Sequence, residues 1–182
     1  TFRNALYQEY KCDRKPAPMS LQPLFRLAPL VMEELGCRCF QMHGYEADDV
    51  MASLSDWGRS KGLNVVHVSV DKDMLQLIDT GVHVLNPYAK GRRVMGPEDV
   101  MEKFAVSPEN LIDYQALAGD ASDGIPGVKG IGPKAGAAIL QHFQSIETLI
   151  EKLKIPTDPV DFESLESIEE NGLVVDEKLT AR

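Results

Sequence analysis

"GDASDGIPGVKGIGPKAGAAIL", residues 119–140, sets two carboxylates, Asp120 and Asp123, a few positions before a glycine-punctuated bend. Three phosphate-binding patterns can be laid over that bend. A P-loop fails: Gly127 and Gly132 have its spacing, but Pro133 stands where its lysine belongs, and Ala135 follows Lys134. A dinucleotide fingerprint matches in letters from Gly130 through Gly132 to Ala135, yet no strand precedes it. A helix-hairpin-helix turn fits. One helix ends before the bend, Gly130-Ile131-Gly132 turns tightly, and a second helix opens at Pro133, whose fixed φ suits a first helical position. Ala135, Ala138 and Ile139 are expected on the inward face of that helix. The N–H groups of such a bend meet phosphates without reading base sequence, and Lys129 and Lys134 add positive charge. Acids beside such a turn repel the ligand it attracts, so they need a role of their own.

Two other acidic motifs bear on that role. In "GYEADDV" (44–50), Glu46, Asp48 and Asp49 open a helix, and Glu46 and Asp49 share a face. Alone, such acids complement the helix dipole. In "VSVDKDML" (68–75), Asp71 and Asp73 follow an apolar strand, at the edge where open α/β sheets bind ligands; alone, they make a polar turn. Asp120 and Asp123 lack the ligand ladder and closing glutamate of an EF-hand. Gathered at one sheet end, these seven carboxylates would repel one another unless several were neutral or cations were bound. A site of oxygen donors suits Mg²⁺ or Mn²⁺ rather than zinc, and two such ions side by side form the arrangement that splits phosphate esters. An aspartyl phosphotransferase built on "DKD" would leave Glu46, Asp123 and the hairpin without a use.

The rest of the chain frames these motifs. "TFRNALYQEYK" reads as a short helix and "KCDRKPAPMS" as a loop. Ser20 caps a helix from Leu21 that Pro29 should kink or divide. "CRCFQMH" (37–43) reads as a strand, and Val50, Leu54 and Trp57 mark the apolar face of the next helix. "LNVVHVSV" (63–70) reads as a strand covered on both sides, and "VHVLNP" and "RRVMG" as strands joined at "YAKG". Strand and helix alternation argues for an α/β layer with a parallel sheet over residues 1–96. Residues 97–153 form a helical subdomain, and 154–182 an acidic, proline-containing tail.

The bulk numbers exclude other classes. With 43% hydrophobic and 26% charged residues the balance is globular. No apolar stretch reaches the roughly 18 residues of a membrane span, so no membrane partner is expected. No signal peptide is in view, and the chain reads as a fragment or processed product. The net charge of −9 argues against a general nucleic-acid coat, but basic residues cluster in 3–15, 90–93 and 129–134. Cys12, Cys37 and Cys39 fit neither a zinc spacing nor a disulfide framework, so free thiols in a reducing, intracellular compartment are expected.

Taken in order, "FRNALYQEYKCDR", "GYEADDV", "VDKDMLQL" and "GDASDGIPGVKGIGPKAGAAIL" resemble 5′-nucleases of the flap-endonuclease type, above all the 5′-3′ exonuclease domain of bacterial-type DNA polymerase I. The resemblance runs from Thr1 to about Leu153. It implies a PIN-like α/β nuclease core with a helical arch segment and a C-terminal helix-three-turn-helix subdomain. It implies a metal-dependent 5′-3′ exonuclease or 5′-flap endonuclease using two Mg²⁺ or Mn²⁺ ions. It places Glu46, Asp48, Asp49, Asp71, Asp73, Asp120 and Asp123 on metal-site positions. Lys11, Arg14 and Arg3 fall where the arch engages the scissile phosphate, with Tyr10 beside them. Gly127, Lys129, Gly130, Ile131, Gly132 and Lys134 fall on the duplex-gripping turn, where the family often holds K⁺. The implied partner is DNA with a 5′ flap, nick or 5′ end, met by a monomer fused to or acting with a DNA polymerase. Two further metal-binding aspartates of the family lie upstream of the segment at Thr1. The resemblance therefore also implies an open sheet edge and an incomplete metal site here, which leaves a non-catalytic, structure-selective DNA-binding module as the alternative.

Overall fold

A computed structural model describes residues 1–91 and 94–154; apart from Lys154, the expected acidic tail lies outside the described residues. The chain opens with a short helix α1 (Phe2–Leu6) and turns, then α2 (Gln22–Glu34) and α3 (Ala47–Ser60). Strands β1 (Val65–Val68), β2 (Val82–Leu85) and β3 (Val94–Met95) follow, with a 3-10 segment Lys72–Leu77 between the first two. Helices α4 (Pro97–Phe104), α5 (Leu111–Ala118), α6 (Pro133–Phe143) and α7 (Ile146–Leu153) complete it.

The sheet order is β1-β2-β3. β1 and β2 run parallel, with Val65 opposite Val82, while β3 returns antiparallel to β2, so the sheet is mixed rather than wholly parallel. The "YAKG" turn between β2 and β3 accounts for this, since a short connection can only reverse the chain. Among the described residues β1 pairs with β2 alone. His67 is buried, whereas Val66 and Val68 are more than half exposed, so the expected cover on both faces is found on one alone.

Other local expectations are corrected in the same way. Residues 37–43 form no strand, and Phe40 and Met42 are exposed. A strand needs a neighbour for its N–H and C=O groups, and none of the described strands pairs with this stretch. The first helix stops at Leu6 because Tyr7 is extended and Lys11 adopts a left-handed φ of 56°. Pro29 sits within a continuous α2 and does not divide it. In α3, Ser55 and Gly58 are buried while Trp57 is 59% exposed. Gly58 faces the sheet so closely that a Cβ there would lie 3.1 Å from Val65. In α6 the inward stripe is Gly136, Ala137 and Leu140, not Ala135 and Ala138. Gly136 is what lets that stripe lie against Leu117 and Ala118 of α5.

One core unites the sheet and the helical part. Met74, Leu75 and Ile78 from the 3-10 region and Val84 from β2 pack with Val100, Val106, Leu111, Leu117, Ala137 and Leu140. Full burial of such a side chain is worth about 1.5–3 kcal/mol. Leu111 and Leu140, each 1% exposed, therefore fix α5 and α6 against the sheet and with them the loop that joins the two helices.

That loop closes on itself. Asp120 and Ile125 exchange backbone hydrogen bonds of 2.8 and 2.9 Å, and Val128 N–H donates to Leu117 at 2.9 Å. Gly119 (φ 80°) and Gly127 (φ 66°) meet backbone to backbone, and a Cβ on Gly119 would lie 2.7 Å from the Ile125 carbonyl oxygen. Gly132 (φ −95°) has no neighbour within 4 Å of a built Cβ. Thermal melts should separate these positions. Gly119→Ala or Gly127→Ala is expected to cost about 3 kcal/mol or more, as a positive φ and a backbone clash combine. Gly132→Ala should cost under about 1 kcal/mol, as at an ordinary helix N-cap.

Candidate metal and nucleic-acid site

Three loops meet where β1 ends. The first carries Tyr10, Lys11 and Arg14, the second Asp71-Lys72-Asp73, and the third Asp120 to Asp123. Backbone contacts lock the first to the third. Lys11 N–H donates to the Asp123 carbonyl at 2.9 Å, and a Cβ on Gly124 would lie 2.8 Å from the Glu9 carbonyl oxygen. The left-handed φ of Lys11 is strained for a residue with a Cβ. It persists because this bond, the buried Tyr10 ring and the Asn4 side chain, which donates to the Tyr10 carbonyl at 3.1 Å, all hold the turn.

Asp73, Asp120 and Asp123 each offer one carboxylate oxygen within 4.8 Å of the others. Asp120 and Asp123 are buried at 6% and 7% exposure. Asp71 caps the 3-10 segment by accepting the Asp73 N–H at 3.0 Å. It also lines the cleft of about 490 Å³ whose wall includes Lys11, Arg14, Lys72, Asp73, Ser122 and Asp123. Glu46 joins this group through Lys11, whose Nζ lies 2.6 Å from Glu46 and 3.6 Å from Asp123. Asp49 is held apart by two bonds from Arg3, at 2.6 and 2.8 Å, and caps its own helix by accepting the Glu46 N–H at 2.9 Å. Asp48 stands in the first turn of α3 and makes no hydrogen bond or ion pair with the cluster among the described residues. The structure thus gathers three of the seven acids closely and sets Asp71 and Glu46 at the margin; Asp49 and Asp48 lie on the helix behind.

Each buried acid has a cation. Arg14 donates to Asp123 at 2.6 Å and Lys72 to Asp120 at 2.8 Å. Tyr10 Oη and Lys11 Nζ both donate to Glu46. Burial alone would raise the Glu46 and Asp120 carboxyls, but hydrogen bonds outweigh it and hold both below their ordinary values, from Lys11 and Tyr10 at Glu46 and from Lys72 and Ser122 at Asp120. For Lys11, burial opposes the charge, yet Glu46 and Tyr10 raise it above the ordinary lysine value. Asp73 is the exception. Burial pushes it up, and the single bond from Gln115 (2.5 Å) does not offset the nearby charges of Asp71 and Asp120. A carboxyl left in that condition is the one with most to gain from a cation.

Lys72, Gln115 and Ser122 are partners that the sequence reading passed over. Lys72 was in view between two acids, but its pairing with Asp120 depends on how the chain returns. Gln115 lies inside an ordinary helical stretch and carries no signal at all.

At the bend, the glycines divide. Gly127 packs on Gly119, whereas Gly130 (φ 88°) and Gly132 face open space with no atom within 4 Å of a built Cβ. Lys129, Gly130, Gly132 and Lys134 are exposed, Ile131 is half-buried against the core, and Pro133 opens α6. Exposed backbone at a helix N-terminus leaves N–H groups free to meet an anion.

Comparison with known proteins places this geometry. Residues 1–105 match the family described as 5′-3′ exonuclease, N-terminal resolvase-like domain, and residues 106–180 match 5′-3′ exonuclease, C-terminal SAM fold. A DNA polymerase I of Rhizobium leguminosarum is 39% identical over 152 residues, 84% of this chain and 15% of its own length. A 5′-3′ exonuclease of a Buchnera aphidicola strain is 39% identical over 160 residues, covering 84% of this chain and 54% of that protein. The chain thus spans about half of that stand-alone relative. The flap endonuclease of bacteriophage T5, solved as a pseudo-enzyme-product complex with DNA and metal ions, superposes with a TM-score of 0.71 at 26% identity, over 93% of this chain and 66% of that one. The expected α/β core with its helical C-terminal part is therefore the fold of these proteins, and the chain belongs to the 5′-3′ exonuclease family.

Proposed function

We propose that this chain carries the metal-binding and DNA-gripping parts of a nuclease that hydrolyses DNA phosphodiesters at 5′ ends, flaps and nicks. One observation carries the proposal. Carboxylate oxygens of Asp73, Asp120 and Asp123 lie within 4.8 Å of one another, and Asp73 and Asp123 line a cleft with Lys11 and Arg14. The donors are all oxygen, which fits Mg²⁺ or Mn²⁺. Asp71 lines the same cleft and Glu46 is linked to Asp123 through Lys11, while Asp49 and Asp48 belong to the helix that Glu46 caps. Two such ions, when bound, supply an activated water and neutralise the leaving oxygen.

The chain's own residues do the rest. Lys11 is held rigidly by Tyr10 and Glu46, so its charge is already placed when a phosphate arrives. Arg14 is half exposed beside Asp123 and can turn its remaining N–H groups to the same phosphate. Arg3 acts by fixing Asp49 and the start of α3. The bend offers the N–H groups of Gly130 and Gly132 to the duplex, the Ile131 N–H being given to the Val128 carbonyl; a K⁺ shared with a phosphate suits the same bend, and Lys129 and Lys134 add long-range attraction. The DNA polymerase I relatives support action fused to or beside a polymerase. The exposed, unpaired cysteines suit a reducing intracellular compartment, and among the described residues no helix is long and apolar enough to cross a membrane. We assign the chain as a monomer in solution.

Two measurements test this. With a 5′-flapped duplex and Mg²⁺, Asp123→Asn and Asp71→Asn should each lower the cleavage rate by roughly 100-fold or more, as expected when metal stabilisation worth several kcal/mol is lost. Cleavage at the wild-type rate in either variant overturns the mechanism, and flap binding without cleavage by the wild type under any divalent ion would favour the non-catalytic module. Separately, Lys134→Ala should leave the melting temperature unchanged and reduce the slope of log affinity against log salt by about 0.9.

A further inference from the structure

We infer that Lys72 is a resident counter-ion of the acidic cluster, one that releases Asp120 when a divalent cation enters and then adds its charge to the face that meets DNA. The inference rests on the metal-dependent reading above and extends it to a residue that reading does not use. Lys72 Nζ lies 2.8 Å from Asp120 Oδ1, on a carboxylate of the cluster itself. The same oxygen accepts the Ser122 N–H at 3.0 Å and Ser122 Oγ at 2.6 Å, so it is saturated with donors. A cation that takes this oxygen must displace one of the three, and one that takes Oδ2 lands on the same carboxylate, a few ångströms from the Lys72 ammonium. The Ser122 donors are neutral and belong to the same tight turn. Lys72 carries a like charge, and like charges a few ångströms apart in a partly desolvated cleft repel strongly.

Lys72 is also freer to move than Lys11. Its side chain is 39% exposed, against 19% for Lys11. Lys11 is fixed by Glu46, Tyr10 and its own backbone bond to Asp123. Among the described residues Lys72 forms one ion pair, with Asp120. It also lines the cleft together with Lys11 and Arg14, so a modest change of rotamer carries its ammonium from the carboxylate to the open side. The exchange neutralises a buried acid while the site awaits metal. It then presents a third positive charge where a phosphate would lie.

The test uses the full 182-residue chain and Mn²⁺ alone, followed by calorimetry. Lys72→Met and Lys72→Gln should bind Mn²⁺ roughly threefold to tenfold more tightly than wild type, the range expected when a partly exposed competing ion pair is removed. Lys72→Arg should stay at the wild-type value. A lysine that merely braced the turn would give the opposite sign, since its loss would loosen the cluster and weaken binding. Equal or weaker affinity in both neutral variants overturns the inference. A second readout is binding to an already trimmed 5′-ended duplex. The salt slope should fall by about 0.9 in Lys72→Met when Mn²⁺ is present and stay unchanged without it; the same slope under both conditions overturns the release step. If the wild type takes up no Mn²⁺, this inference and the metal-dependent reading fall together. If it binds Mn²⁺ and cleaves while all affinities agree, this inference alone falls.

Discussion

A carboxylate removed from water must be given a positive charge, and this requirement organises the site. Asp120 and Asp123 are nearly buried, and Glu46 and Asp49 are largely so at their carboxyls. Without partners each would be driven to its neutral form. The chain answers with Arg3 from α1, Lys11 and Arg14 from the turns after it and Lys72 from the 3-10 segment, each remote in sequence from the acid it serves. The basic cluster near the N-terminus, which a composition count would assign to a solvated surface, is therefore part of the acidic site. Its charges balance the carboxylates, and the proposed function gives them a second use toward phosphate.

Much of this was legible because chemistry written in short motifs survives without coordinates. The strand-end position of Asp71 and Asp73, the helix-opening position of Glu46 and Asp49, and Pro133 at the start of α6 depend only on near neighbours. The helices after Gly96 fell where their periodicity placed them. What stayed hidden depended on distant partners. Lys72 selects Asp120, and Gln115 selects Asp73, through the way the 3-10 segment and α5 lie side by side, which spacing does not encode. The faces of α3 and α6 were misjudged for a related reason. Periodicity marks apolar stripes, but a close approach to a sheet or another helix favours Gly58, Gly136 and Ala137 over larger residues. Residues 37–43 show the limit from the other side, since strand-forming composition produces no strand without a neighbour to bond.

The glycines illustrate how one residue type divides its work. Gly119 and Gly127 let two backbone segments touch, and this contact closes the loop that presents Asp120 and Asp123. Gly124 admits the Glu9 carbonyl and so seats the Lys11 turn. At Gly130 and Gly132 no atom of the described residues takes the space a side chain would fill. Sequence alone treats all five as turn glycines. Only the contacts separate those that build the scaffold from those that face open space.

The adjacency of acids and a phosphate-seeking bend, which looks contradictory as sequence, follows from this scaffold. From Asp120 to Gly132 the chain passes from a negative pocket to an electropositive turn within one loop whose base is sealed by the Asp120–Ile125 bridge and the Gly119–Gly127 contact. A closed loop of this kind has few soft torsions left, so the separation between its two ends is set by covalent geometry and local bonds. If a duplex is gripped at Gly130 and Gly132, the rigid loop fixes how far along the backbone the acidic cluster falls. The choice of phosphodiester would then be made by distance, with no contact to a base required. Placing the two opposed charges on separate elements would lose that ruler, because relative motion of the elements would blur the distance between them.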